Sequence, residues 1–156
     1  MPLLVHLTPE KYVARIVRNG IRTGRGVYCM PVLPSYYVSH QWQRELKRAG
    51  QRTILAVYFR LPPEERVLVG HYSQPHEEVT VDDAVRAILD APDARGYEII
   101  LPRRVEPREI VRVCRPPQVV GWRFYPTAKG RPPCGCPYCA RPDQGAQATR
   151  RLRERR

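Results

Sequence analysis

The stretch Gly96–Val113, GYEIILPRRVEPREIVRV, constrains the fold more than any other part of the chain. Three apolar residues, Ile99, Ile100 and Leu101, stand between Gly96 and Pro102. A run this short and rich in β-branched side chains predicts a buried strand over Tyr97–Leu101 rather than a turn of helix. A second strand is predicted over Glu109–Val113, the two joined as a hairpin by the proline-bounded basic turn Pro102–Pro107. The first strand opens with a carboxylate, Glu98. An acid at a buried strand is costly unless something pairs with it or uses it. Arg95, Arg103 and Arg104 are close enough in sequence to be structural partners, so an ion pair and a functional role both stand open.

With 156 residues the chain is sized for one domain and a tail. No apolar run approaches the roughly 18 residues needed to cross a bilayer. The N-terminal MPLLVHLTPEKY meets a histidine and charges too early for a secretory signal. A soluble, cytoplasmic protein is therefore expected. The formal net charge of +12 implies attraction to polyanions, chiefly nucleic acid.

In chain order, Leu3–Val5 is predicted as a strand with His6 at its end. Thr8 then reads as a helix N-cap, Pro9 as the first helical residue and Asn19-Gly20 as the stop. A short strand over Gly26–Met30 carries Tyr28. Ser35 caps a helix expected to reach Ala49, with Tyr36, Val38, Trp42 and Leu46 on its core side. Thr53–Leu61, TILAVYFRL, reads as a strand, and Val67–Tyr72 as a weaker one. Thr80 caps a helix turning Val81, Val85, Ile88 and Leu89 inward, and Val119–Tyr125 is a candidate last strand.

Three distinctive residues lie in or beside these strands: His6, Tyr28 and Glu98. Each has a structural explanation of its own. Their order and surroundings, as VHLTPEKYVARIVRNGI, GRGVYCMP, SYYVSHQW and GYEIILPRRVEPREIVRV, resemble the diphtheria-toxin-like ADP-ribosyltransferases, the group that includes the poly-ADP-ribose polymerases. The last segment is also similar to the DNA-modifying ADP-ribosyltransferase toxins of toxin–antitoxin systems. The resemblance spans roughly residues 3–113. It implies an α+β fold with a split antiparallel sheet, short flanking helices and NAD as substrate.

By this resemblance His6 holds a ribose hydroxyl of NAD, the backbone of Leu7 meets the nicotinamide amide, and Tyr28 stacks on the nicotinamide ring. Ser35 or Tyr36 lines the same pocket. Glu98 hydrogen-bonds the nicotinamide ribose and favours its cationic transition state. That division of labour is chemically coherent. Breaking an N-glycosidic bond develops positive charge on the sugar, and a fixed carboxylate in a dry pocket stabilises it. Three departures narrow the class. Leu7-Thr8 follows His6 where the polymerases have glycine, and their long insertions are missing, which favours single transfer over polymer synthesis. Gly96 stands two residues before Glu98, where the arginine-modifying branch has a second acid.

The C-terminal part differs in character. Of five cysteines three crowd together, Cys134, Cys136 and Cys139, near zinc-knuckle spacing. A fourth ligand has candidates in Cys114, His71, His76 and Cys29, and a reduced cysteine-rich loop without metal is equally consistent. The division expected is a catalytic domain over residues 1–125, a Cys-rich segment over 126–142 and a basic disordered tail over 143–156. Lys129, Arg131 and Arg141 suit phosphate contacts, and Trp122, Phe124 and Tyr125 suit base stacking or core. Two functions follow: a mono-ADP-ribosyltransferase acting on nucleic acid or protein, or a non-catalytic nucleic-acid-binding protein with a zinc-stabilised basic tail. A transferase fold that binds NAD or RNA without chemistry is a third.

Overall fold

A computed structural model describes residues 1–22 and 24–116. Seven strands form one sheet in the order β5-β4-β6-β2-β1-β3-β7. They are β1 Leu3–Pro9, β2 Val27–Pro31, β3 Ile54–Arg60, β4 Arg66–His71, β5 Glu77–Thr80, β6 Tyr97–Leu101 and β7 Ile110–Cys114. Every neighbouring pair is antiparallel. Helices are few and short: α1 Val13–Asn19, α2 Tyr36–Ser39, α3 Gln43–Arg48 and α4 Val81–Asp90. The chain is thus a mixed α/β protein built on an antiparallel sheet. Among the described residues, no helix is long and apolar enough to cross a membrane.

The sheet has a weak seam. β1 pairs with β3 over seven residues but with β2 only at Leu4↔Pro31 and Val5↔Met30. Beyond Val5 the two strands part. The seam divides β5-β4-β6-β2 from β1-β3-β7, and the core of Leu4, Val27, Val57, Phe59, Ile99 and Leu101, all fully buried, holds both halves together.

Several expectations hold. Ile99, Ile100 and Leu101 are buried in β6. Thr80 Oγ1 caps α4 by accepting from the Asp83 amide, and Ser35 Oγ caps α2 by accepting from the Val38 amide. Gly20 ends α1 at φ 80°, its amide donating to the Ile16 carbonyl.

Others are corrected. β1 runs on through His6 to Pro9, so His6 lies inside the strand and Thr8 pairs with Leu55 instead of capping a helix. β6 and β7 are not a hairpin. Both edges of β6 are taken, by β2 and β4, so the chain crosses the sheet and β7 joins β3 at the far edge. Val105, fully buried, makes the crossing by bridging Ile21. The helix expected over 35–49 breaks between Ser39 and Gln43, and its buried side chains are polar: Ser39, His40, Gln41, Gln43 and Glu45. Ser39 and Gln41 turn inward to backbone groups at Leu33, Ala94 and Gly96, and His40 turns inward to the Tyr58 hydroxyl. Leu89 is exposed, since Val81, Ala84 and Ile88 already fill the inner stripe of α4. Val119–Tyr125, the Cys134, Cys136 and Cys139 cluster and the basic tail lie outside the described residues.

Candidate active site

Where β1 and β2 separate, a ladder acceptor on β2 loses its strand partner. A side chain replaces it: Nδ1 of His6 donates to the Tyr28 carbonyl at 2.7 Å. The parted strands open a cavity of about 530 Å³, within the range of small-molecule sites. His6, Leu7, Tyr28 and Glu98 all line it, with Trp42 and Met30 among its apolar walls. Three side chains separated by up to 92 positions in sequence thus share one cleft.

The arrangement follows from local structure. In β2 the alternation that buries Cys29 turns Tyr28 outward, leaving it 43% exposed. Glu98 is the second residue of β6, just before the buried run, and so stands at the mouth of the cleft. Its strand is set by α2, α3 and the corner between them. Gln41, fully buried, donates through Nε2 to the Ala94 carbonyl and accepts through Oε1 from the Gly96 amide. The Trp42 indole donates to the Tyr97 carbonyl at 2.9 Å.

Burial shapes the charges. Desolvation lowers the pKa of His6, partly offset by the Tyr28 carbonyl. A neutral His6 that gives its Nδ1 proton to Tyr28 presents a bare Nε2, an acceptor suited to a hydroxyl donor. Desolvation raises the Glu98 carboxyl, and His76 pulls it back in part. None of Arg95, Arg103 and Arg104 pairs with Glu98. Arg95 binds Asp93, Arg103 bridges Glu65 and Glu109, and Arg104 binds Glu106.

Ser35 and Tyr36 are not among the residues lining the cavity. Ser35 is occupied as a cap, and Tyr36 stacks on His40 with ring centroids 3.9 Å apart. Ser39, one helical turn on, lines it instead, as do Glu45 and Arg48, which are paired with each other. A second cavity, of about 640 Å³, shares His6 and Leu7 with the first and is lined by Tyr12, Arg15 and Arg22. None of these additional residues stands out in the sequence, because nothing local in residues 12–22 or 39–48 marks a side chain as facing a cleft.

Of the suggested fourth zinc ligands, Cys29 is buried with its thiol pushed up by desolvation, and Cys114 is exposed. Among the described residues no three His, Cys, Asp or Glu side chains gather as a metal site would require. No family model matches the chain, and searches of curated proteins and of solved structures returned no match.

Proposed function

We propose that the protein is an NAD-dependent mono-ADP-ribosyltransferase that transfers ADP-ribose to a nucleic acid or protein acceptor and releases nicotinamide. The observation that carries this reading is the single cleft lined by His6, Tyr28 and Glu98 at the seam of the sheet.

Each residue has a physical reason for its role. The exposed Tyr28 ring offers a face to the flat nicotinamide. Beyond Val5, the edge of β1 towards β2 lacks a ladder partner, so the backbone at Leu7 is available to an amide. Nε2 of His6 accepts from a ribose hydroxyl. Glu98, largely shielded from water, faces the sugar as its bond to nicotinamide breaks and stabilises the developing cation. The second cavity offers the ADP half a basic, aromatic wall, where Arg15 and Arg22 are engaged in no ion pair among the described residues.

Incubation with labelled NAD and a panel of DNA, RNA and protein acceptors tests the reading. Nicotinamide release and label transfer are expected, with Glu98→Gln lowering both by about 100-fold or more while the fold persists. Absence of NAD binding by calorimetry, together with binding of nucleic acid, would leave the non-catalytic binding protein in its place.

A further inference from the structure

Glu98 meets a residue distant from it in sequence. Its Oε1 lies 3.2 Å from Nε2 of His76, which enters from the segment between β4 and β5. The two side chains are 15% and 16% exposed, so water screens the contact little. The approach depends on a glycine. Gly70 is the residue opposite Glu98 in the β4–β6 ladder, and a Cβ there would stand 3.2–3.3 Å from Cα, Cγ and Cδ2 of His76. Without that Cβ the imidazole packs against the strand itself and reaches the carboxylate. Nε2 of His76 is buried and has no partner nearer than Glu98 among the described residues.

We propose, resting on the transferase reading, that His76 is the proton partner of Glu98, receiving through it the proton that the acceptor gives up. The C1′–N bond to nicotinamide breaks and its electron pair stays on the ring nitrogen, discharging the pyridinium. A bond forms between C1′ and the acceptor's oxygen or nitrogen. The proton that atom carried passes to Glu98 and on to Nε2 of His76, leaving an imidazolium beside a carboxylate. Charge and atoms balance, Glu98 is again ionised, and His76 returns the proton to solvent before the next turnover. A lone carboxylate would have to choose between steadying the sugar cation and taking the proton. With His76 behind it, Glu98 does both. His76 acts through Glu98 and is a positioning residue, not one that touches substrate.

The other titratable groups around Glu98 are accounted for. His6, Tyr28, Glu45 and Arg48 line the same cavity, with Glu45 and Arg48 paired to each other. His71 and Tyr72 pack beside Gly96, two residues before Glu98. Among the described residues His76 is the one ion-pair partner of Glu98. Burial holds the Glu98 carboxyl up, and His76 draws it down.

The pairing is tested without substrate by titrating the Glu98 side-chain carboxyl with carbon-13 NMR in the full chain. Removal in His76→Gln of the imidazole that draws the Glu98 carboxyl down is expected to move the Glu98 midpoint up by about one pH unit. An unchanged midpoint overturns the pairing. In single-turnover transfer, His76→Gln is expected to slow the step about 100-fold, alter the pH–rate profile and leave NAD affinity within about twofold. A wild-type rate and profile in that variant reject the proton route alone. No nicotinamide release from the wild type at any pH rejects the transferase reading itself. Should His76→Gln fail to fold, Gly70→Ala, which displaces the imidazole by a few tenths of an ångström, is expected to raise the Glu98 midpoint in the same direction. No rise in that variant overturns the pairing equally.

Discussion

The imidazole of His6 donates from Nδ1 to the backbone carbonyl of Tyr28 at 2.7 Å, just past the last ladder pair between their two strands, Val5↔Met30. One side chain therefore closes the hydrogen-bond account of a parted strand and fixes its own tautomer. The same contact holds the seam open as a cleft and sets the polarity of one of its walls. His6→Ala leaves the Tyr28 carbonyl without this donor, which should cost about 1–2 kcal/mol of stability by chemical denaturation. NAD affinity should fall about tenfold or more by calorimetry. An unchanged affinity would separate His6 from ligand binding.

Two histidines are held neutral by burial. His6 has its pKa lowered mainly by desolvation, and so does His40, whose Nδ1 donates to the Tyr36 carbonyl while Nε2 accepts from the Tyr58 hydroxyl. For a base whose folded pKa lies below its unfolded value, the unfolded chain takes up more protons between the two. Stability then falls as pH drops below about 6.5. Urea midpoints should be flat from pH 7 to 8 and decline through pH 6 to 5. His40→Gln should flatten part of that decline, and an identical slope in the variant would assign the acid sensitivity elsewhere.

Glu98 behaves with the opposite sign. Its carboxyl is raised by burial, so the folded state keeps that proton to a higher pH than the unfolded chain does. The ionised form is the costly one, and its cost appears as pH rises through the raised value. Glu98→Gln should therefore melt at or above the wild-type temperature at pH 8, the difference shrinking as pH falls towards 4. A markedly lower melting temperature at pH 8 would make Glu98 a structural acid rather than a group maintained for chemistry.

Gln41 ties the corner between α2 and α3 to the chain entering β6. Truncation in Gln41→Ala removes both amide bonds and leaves the Ala94 carbonyl and Gly96 amide without that partner in a buried setting. A loss of about 2–3 kcal/mol is expected. Because Glu98 follows two residues later, transfer should also drop while the variant remains folded at low temperature. Wild-type turnover in a destabilised Gln41→Ala would show that Glu98 is positioned by β2 and β4 alone.

At Gly20 a side chain has no room. The residue sits at φ 80°, and a Cβ would fall 2.0 Å from the Val105 carbonyl oxygen, a backbone atom with little freedom to yield. That oxygen accepts from the Ile21 amide at 2.9 Å, in the bridge that carries the chain from β6 across to β7. Gly20→Ala should cost at least about 2 kcal/mol, read from its denaturation midpoint. A loss below about 0.5 kcal/mol would mean that the crossing adapts.

Much of this molecule is written locally. The buried run of β6, the long β3, the caps at Ser35 and Thr80 and the stop at Gly20 all follow from side-chain size, branching and backbone freedom within a few residues. His6, Tyr28 and Glu98 each have a local structural explanation, and it is their order and surroundings along the chain that mark them together. The β5 strand, EEVT, escaped notice because four residues with two adjacent acids carry too little alternation to register.

Long-range packing decided the rest. Whether 97–101 and 110–114 pair with each other or with strands elsewhere depends on which edges are already occupied, a property of the whole sheet and not of either segment. Gln41 is buried because the distant Ala94 carbonyl and Gly96 amide receive it, and His40 because the Tyr58 hydroxyl does, which periodicity alone cannot foretell. Glu98 found His76 instead of a neighbouring arginine for the same reason. The arginines are held by other carboxylates, while a glycine on the adjacent strand clears the way for a histidine 22 positions upstream. Local chemistry nominated the acid; only tertiary contact chose its partner, because pairing energies between separated segments are set by what else competes for each group.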